Sequence, residues 1–136
     1  MIIMNKTVYV GLAVDIIHHG HINILNIASE YGNVIVGLLT DEAIKSYKRI
    51  PINTYDDRLQ IIKSMKNIFN VIPQTTLDYR PNLRKIKPDY VVHGSDWREG
   101  TQSEIRKQVI ETLSEWGGKI IEPDYTPGIS TTAIIN

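Results

Sequence analysis

A chain of 136 residues holds one domain around one core. Fifteen basic residues balance fifteen acidic ones, which argues against a general electrostatic footprint for nucleic acid or membrane. With no cysteine, a disulfide framework and cysteine-ligated zinc are excluded, and a reducing compartment fits. No apolar run approaches the roughly 18 residues that span a bilayer, and "MIIMNK" does not read as a signal peptide. A cytoplasmic protein is the expectation.

In chain order, "TVYVGLAV" (7–14) is an apolar, β-branched run of the kind that forms a buried parallel strand. "HINILNIASEYG" (21–32) places apolar residues at helical spacing and stops at glycine. "NVIVGLL" (33–39) is a second strand. Thr40 caps "DEAIKSY", with two acids in its first turn. Thr54 opens "YDDRLQIIKSMKNI", with Asp57 completing a variant of the capping box. "FNVIP" (69–73) is a third strand, and "RPNLRKIK" (80–87) a short helix closed by Pro88. "DYVVHG" (89–94) is a fourth strand, "TQSEIRKQVIETLSEWGG" (101–118) a helix, and "KIIEP" (119–123) a fifth strand. "ISTTAII" begins a last helix after Gly128. The alternation predicts an α/β fold with a five-stranded, largely parallel sheet covered by helices on both faces. Ligands of such sheets bind beyond the carboxyl ends of the strands. The unusual residues of this chain follow strand ends.

Three of the four histidines stand in "HHGH" (18–21) after the first strand. Gly20 lets the backbone approach a ligand closely. His18 and His21, three apart at a helix start, can share one site. Three roles compete. As metal ligands they would want a third donor, such as Asp15 or His93. As an acid or base, one would be paired with a nucleophile. As phosphate contacts at a helix N-terminus, they would stabilise developing charge. "GISTT" (128–132) offers backbone N–H groups and hydroxyls, an anion cradle. Lys45, Lys48 and Arg49 lie near Pro51, where lysines can close over phosphates. Arg58 sits in the first turn of its helix, against the dipole. "HGSDW" (93–97) presents an acid and an indole beside the cleft, suited to bordering a nucleobase. Together these features point to a nucleoside triphosphate.

"D-x-x-H-x-G-H" at 15–21 with "I-S-T-T" at 129–132 resembles the two signature motifs of the cytidylyltransferases, within the nucleotidyltransferase superfamily. "G-x-D-W" at 94–97 and Arg58 in "Y-D-D-R" are similar to internal motifs of the glycerol-3-phosphate cytidylyltransferases. The resemblance covers essentially the whole chain and implies a Rossmann-like, doubly wound sheet. In that family an acceptor oxygen attacks the α-phosphorus of CTP and pyrophosphate leaves, by positioning and charge stabilisation. By resemblance, His18 and His21 contact the triphosphate and Lys48, with Lys45, holds it. Ser130 and Thr131, after Ile129, bind the outer phosphates. Leu12, Ala13, Asp15, Gly20, Gly94, Asp96, Trp97 and Arg58 form the nucleotide pocket. Mg²⁺ is expected to ride on the nucleotide, since no dedicated carboxylate cluster is apparent.

The chain departs from the glycerol-3-phosphate pattern at Leu12-Ala13-Val14-Asp15, where that subfamily reads "G-T-F-D". It departs again at Tyr125 and Pro127, where the subfamily has arginine and glutamate. "VGLLTDEAIKSYKR", "TLDYRPNLRKIKPDYVVHGSDWREG" and "YTPGISTT" resemble more closely the cytidylyltransferases of phosphonate biosynthesis. The acceptor implied is 2-aminoethylphosphonate or a hydroxylated relative, with glycerol 3-phosphate or another phosphate monoester as the alternative. Adenylyl transfer, a binding module without turnover and a metal-dependent hydrolase are further readings. Arg80 and Arg98 are candidates for the phosphonate oxygens. Asp89, Asp124, Tyr79, Tyr90 and Tyr125 are candidates for an acceptor ammonium. A homodimer, one domain over 1–136 and excision from a longer fusion protein complete the expectations.

Overall fold

The computed structural model describes residues 6–15, 19–47 and 50–123, with His19 described by its backbone alone. Five strands, β1 (Thr7–Leu12), β2 (Asn33–Leu39), β3 (Ile68–Gln74), β4 (Tyr90–Val92) and β5 (Lys119–Ile121), alternate with five helices. The helices are α1 (His19–Ser29), α2 (Asp41–Lys45), α3 (Tyr55–Lys63), α4 (Arg80–Ile86) and α5 (Ser103–Leu113). Short 3₁₀ turns at Ser95–Arg98, Gly100–Gln102 and Ser114–Trp116 flank α5. The sheet order is β3-β2-β1-β4-β5 and every pairing is parallel. The expected doubly wound α/β fold is therefore the one observed.

Side-chain alternation divides the core into two layers. Val8 and Val10 of β1 and Val34, Val36 and Leu38 of β2 pack with Leu25 and Ala28 of α1 and Ile62 of α3. Tyr9, on the opposite face, packs with Leu83 of α4, Val91, Trp97, and Val109 and Leu113 of α5. Both predicted threonine caps are formed. Thr40 Oγ1 accepts from Ala43 N and Thr54 Oγ1 from Asp57 N, each at 3.3 Å. Pro73 falls inside β3, which its lack of an N–H allows because β3 is an edge strand. β1 ends two residues earlier than the sequence predicts, because Val14 turns to a φ of 54°. That region is costly for a β-branched residue and persists only where neighbours impose it. The predicted helix at 129–135 lies outside the described residues.

Candidate active site

The strand order reverses between β1 and β4. β4 pairs with β1 at two positions, Val8↔Tyr90 and Tyr9↔Val91, and β1 then runs on to Leu12 while β4 stops at Val92. The two strands part toward their carboxyl ends, where a crevice forms in folds of this kind. A cavity of about 250 Å³ opens there, walled by Gly11 and Leu12 of β1, Gly20 and His21 of α1, and Gly94 and Asp96 beyond β4. Residues the sequence marks from three separate stretches thus share one cavity. A second cavity, of about 480 Å³, shares Gly11, Leu12 and His93 with the first and extends over β2 and β3 to Ala13, Leu39 and Gln74.

The two cavities meet at His93. Its ring stacks on Trp97, with centroids 3.9 Å apart and planes 1° from parallel. Its Nδ1 lies 2.8 Å from the carbonyl of Gly94, so that nitrogen carries the proton. Burial pushes the His93 pKa below its ordinary value, which keeps the ring neutral near pH 7. Trp97 was expected to border a nucleobase. Instead it is buried in the core, 1 % exposed, and the His93 ring covers its face. The indole N–H donates to Glu122 Oε2 at 2.5 Å, and Arg106 Nε and Arg98 Nε donate to the same carboxylate at 2.6 and 3.1 Å. Glu122 carries no motif, and its role comes from the fold alone.

Arg58 was also expected in the nucleotide pocket, and its side chain is wholly buried instead. Nε donates to Asn53 O at 3.1 Å, and Nη1 donates to Ala13 O at 2.8 Å and Leu39 O at 2.6 Å. Nη2 pairs with Asp41 Oδ1 at 2.7 Å. These carbonyls belong to the ends of β1 and β2 and to the entry of α3, so the guanidinium ties three segments behind the cavity wall. Asp15, 6 % exposed, ties a fourth joint. Its carboxylate accepts from Ile52 N at 3.0 Å and Asn53 N at 2.9 Å, and Asn53 Nδ2 donates back to Asp15 O at 2.7 Å. Both side chains shape the site from behind and impose the turn at Val14.

Other candidates divide. Tyr79 lines the larger cavity, while Lys45 is exposed in the last turn of α2. Arg80 gives its guanidinium fork to Asp78, at 3.0 and 2.9 Å, where the sequence reading gave it to a phosphonate. Arg98 turns to Glu122. Asp89 accepts from Thr7 N at 2.9 Å, at the amino end of the sheet, and Tyr90 packs there on Tyr31, so neither reads an acceptor. His18, Lys48, Tyr125, Ile129, Ser130 and Thr131 lie outside the described residues, as do Arg49 and Asp124. The sequence reading missed Gln74, Tyr47, Leu77 and Ile105 in the larger cavity. A glutamine closing an apolar edge strand was the available signal for the first.

A parallel sheet opening at its order reversal beside a histidine-glycine helix start defines a doubly wound, Rossmann-like α/β protein. The chain belongs to the cytidylyltransferase-like family, whose description matches residues 9–136. It is 30 % identical over 119 residues to an FAD synthase of Methanopyrus kandleri, covering 85 % of this chain and 75 % of that one. It is 32 % identical over 126 residues to the ethanolamine-phosphate cytidylyltransferase of Mus musculus, covering 89 % of this chain and 30 % of the mouse protein. The chain thus spans about a third of the latter. The crystal structure of a lipopolysaccharide core biosynthesis protein from Thermoplasma volcanium shares the fold, with a TM-score of 0.74 at 22 % identity, over 89 % of this chain and 98 % of the other. No helix among the described residues is long and apolar enough to cross a membrane.

Proposed function

We propose that the protein transfers CMP from CTP to a small phosphonate, 2-aminoethylphosphonate or a hydroxylated relative, and releases pyrophosphate. The observation that carries this reading is the cavity at the β1–β4 parting, which gathers Gly20, His21, Gly94 and Asp96. The triphosphate lies against the N-terminal turn of α1, where backbone N–H groups and the His21 imidazole meet negative charge. The acceptor lies in the adjoining cavity of about 480 Å³. An acceptor oxygen attacks the α-phosphorus, a new P–O bond forms, and the bond to the β-phosphate oxygen breaks with its electron pair leaving on pyrophosphate. No covalent enzyme intermediate is required, because the acceptor oxygen is already nucleophilic. His21, with His18 by resemblance, stabilises charge on the pentacoordinate phosphorus. Among the described residues no group of three or more His, Asp or Glu gathers to hold an ion. Mg²⁺ carried on the phosphates would neutralise their charge.

The likeness to an ethanolamine-phosphate cytidylyltransferase favours a second reading, in which the acceptor is a phosphate monoester. Pyrophosphate release with CTP and Mg²⁺ separates the two, using 2-aminoethylphosphonate, 2-hydroxyethylphosphonate, glycerol 3-phosphate and phosphocholine, with ATP as the control nucleotide. Release with a phosphonate and CTP supports the first. Release only with a phosphate monoester replaces it by the second. His21→Ala should lower kcat by about 10²–10³, as losing an oxyanion-hole donor does. Near-normal turnover in that variant would remove His21 from the chemistry.

A further inference from the structure

The larger cavity has an unusual wall for a site that takes charged molecules. No Asp, Glu, Lys or Arg is among the described residues lining it. Its buried amide is Gln74, 2 % exposed, at the carboxyl end of β3. The direction of that amide is set by its neighbours. Gln74 Nε2 lies 3.0 Å from the carbonyl of Thr76, which can only accept, so this end of the amide is the donor. Gln74 Oε1 lies 2.5 Å from the Tyr9 hydroxyl. That hydroxyl in turn accepts from Asn82 Nδ2 at 3.0 Å, and Asn82 Nδ2 is itself fixed by the carbonyl of Pro73 at 3.0 Å. The one phenolic hydrogen therefore goes to Gln74 Oε1. Burial raises the Tyr9 pKa, so the hydrogen stays in place at any ordinary pH. Gly37 makes this possible, since a Cβ there would overlap the Tyr9 hydroxyl.

With its oxygen occupied and one N–H on Thr76, Gln74 has a second amide hydrogen that takes no acceptor among the described residues. We propose that this N–H reads an uncharged oxygen on the acceptor's tail, so that the preferred acceptors carry a hydroxyl where 2-aminoethylphosphonate carries an ammonium. This rests on the cytidylyl-transfer reading above and narrows its substrate class. An ammonium presents three donors and no acceptor. It would meet a donor at Gln74 and no carboxylate among the described residues of the lining. The Tyr79 ring is already packed in a T-shaped contact with Tyr9 and a tilted one with Trp97, at centroid distances of 5.8 and 6.0 Å. Tyr47, the other tyrosine of the wall, is 43 % exposed, where a cation–π contact is weak.

The test measures kcat/KM for two matched pairs, 2-hydroxyethylphosphonate against 2-aminoethylphosphonate and glycerol 3-phosphate against phosphoethanolamine. The wild type should prefer the hydroxylated member of whichever pair it uses by tenfold or more. Gln74→Glu keeps an oxygen for Tyr9 and replaces the reading N–H by a carboxylate oxygen, so the preference should shrink below threefold or reverse, with the KM for CTP unchanged. Gln74→Leu, which needs no polar partner, should lose tenfold on the hydroxylated acceptor and little on the amino one. Tyr9→Phe frees the amide to turn and should raise the hydroxylated acceptor's KM several-fold while leaving kcat and the KM for CTP in place. A wild-type preference for the amino member, or Gln74 variants that lower both members equally, would overturn the role of Gln74 and leave cytidylyl transfer standing. Pyrophosphate release with none of the four would overturn the underlying reading as well.

Discussion

At the residue scale, the chemistry of Arg58 is spent inside the protein. A guanidinium is a rigid fork of donors, and here it meets three backbone carbonyls and one carboxylate. Replacing it by Met would remove the guanidinium's donors from those oxygens, of which Leu39 O is buried. Arg58→Met should lose about 3–5 kcal/mol of stability, the range for breaking a buried ion pair, read by urea denaturation. Arg58→Lys should lose less, because an ammonium keeps the charge but not the fork. A loss below about 1 kcal/mol for the Met variant would mean that water replaces the guanidinium without cost. The sequence placed Arg58 in the pocket because a cation in the first helical turn opposes the dipole and invites a ligand as explanation. The physical reason for its placement is the set of carbonyls at 13, 39 and 53, the first two of which lie far away in sequence and reach the guanidinium only in the fold. Trp97 misled for a related reason. An indole near a cleft looks like a base platform until a neighbouring ring, His93, covers it.

At the scale of elements, the site is fastened to its sheet by two arrangements of opposite character. One is apolar and steric. Gly11 and Gly37 face each other across the β1–β2 ladder, and each leaves room for a tyrosine hydroxyl, Gly11 for Tyr79 and Gly37 for Tyr9. Gly37→Ala should cost about 1–3 kcal/mol through overpacking and should also disturb Gln74. Thermal unfolding together with the acceptor preference would show both effects, and an unchanged melting temperature would contradict the close approach. The other arrangement is ionic. Glu122, after β5, joins the turn at Ser95–Arg98 to α5 through Trp97, Arg98 and Arg106. The hydrogen-bonded guanidinium of Arg106 pulls the Glu122 carboxyl from 4.5 down to about 2. A carboxylate whose folded pKa is depressed stabilises the fold above its unfolded value, and the benefit is lost as pH falls through the folded one. The contribution is on the order of 2–3 kcal/mol, present above about pH 4.5 and fading toward pH 2. Glu122→Gln should remove it and flatten the acid limb of the stability curve across that window. An acid limb as steep as the wild type's would assign the slope to other carboxylates. Caps, helix periods and strand runs were legible because each is written in a few adjacent residues. Gln74 and Glu122 were not, because a lone glutamine or glutamate at a strand end has no local signature, and its meaning depends on Tyr9, Asn82 or Arg106 arriving from elsewhere.

At the scale of the whole molecule, the sheet order separates two halves, β3-β2-β1 and β4-β5, joined by a ladder that closes at only two described register pairs between β1 and β4. The larger half supplies Gly11, Leu12 and the start of α1 to the crevice, and the smaller half supplies Val92, His93, Gly94 and Asp96. A ligand lodged there touches both halves and so binds only the folded chain. The location of that crevice was legible from the alternation of strands and helices, since a parallel sheet must reverse its order somewhere and its ligands collect there. Its occupant is a matter of energetics, and mass action makes it measurable. A nucleotide at one hundred times its dissociation constant adds about 2.7 kcal/mol to the folded state. For a chain of 136 residues this corresponds to a rise of roughly 10 °C in melting temperature. CTP with Mg²⁺ should produce that rise and ATP at the same concentration should produce much less, because only the former is the proposed donor. His21→Ala should reduce the CTP-induced rise, since the imidazole stands at the wall of the crevice. Equal shifts with CTP and ATP would place the selectivity outside this crevice. No shift with either, in a chain that still melts cooperatively, would mean that the folded chain binds neither nucleotide and would remove the proposed donor.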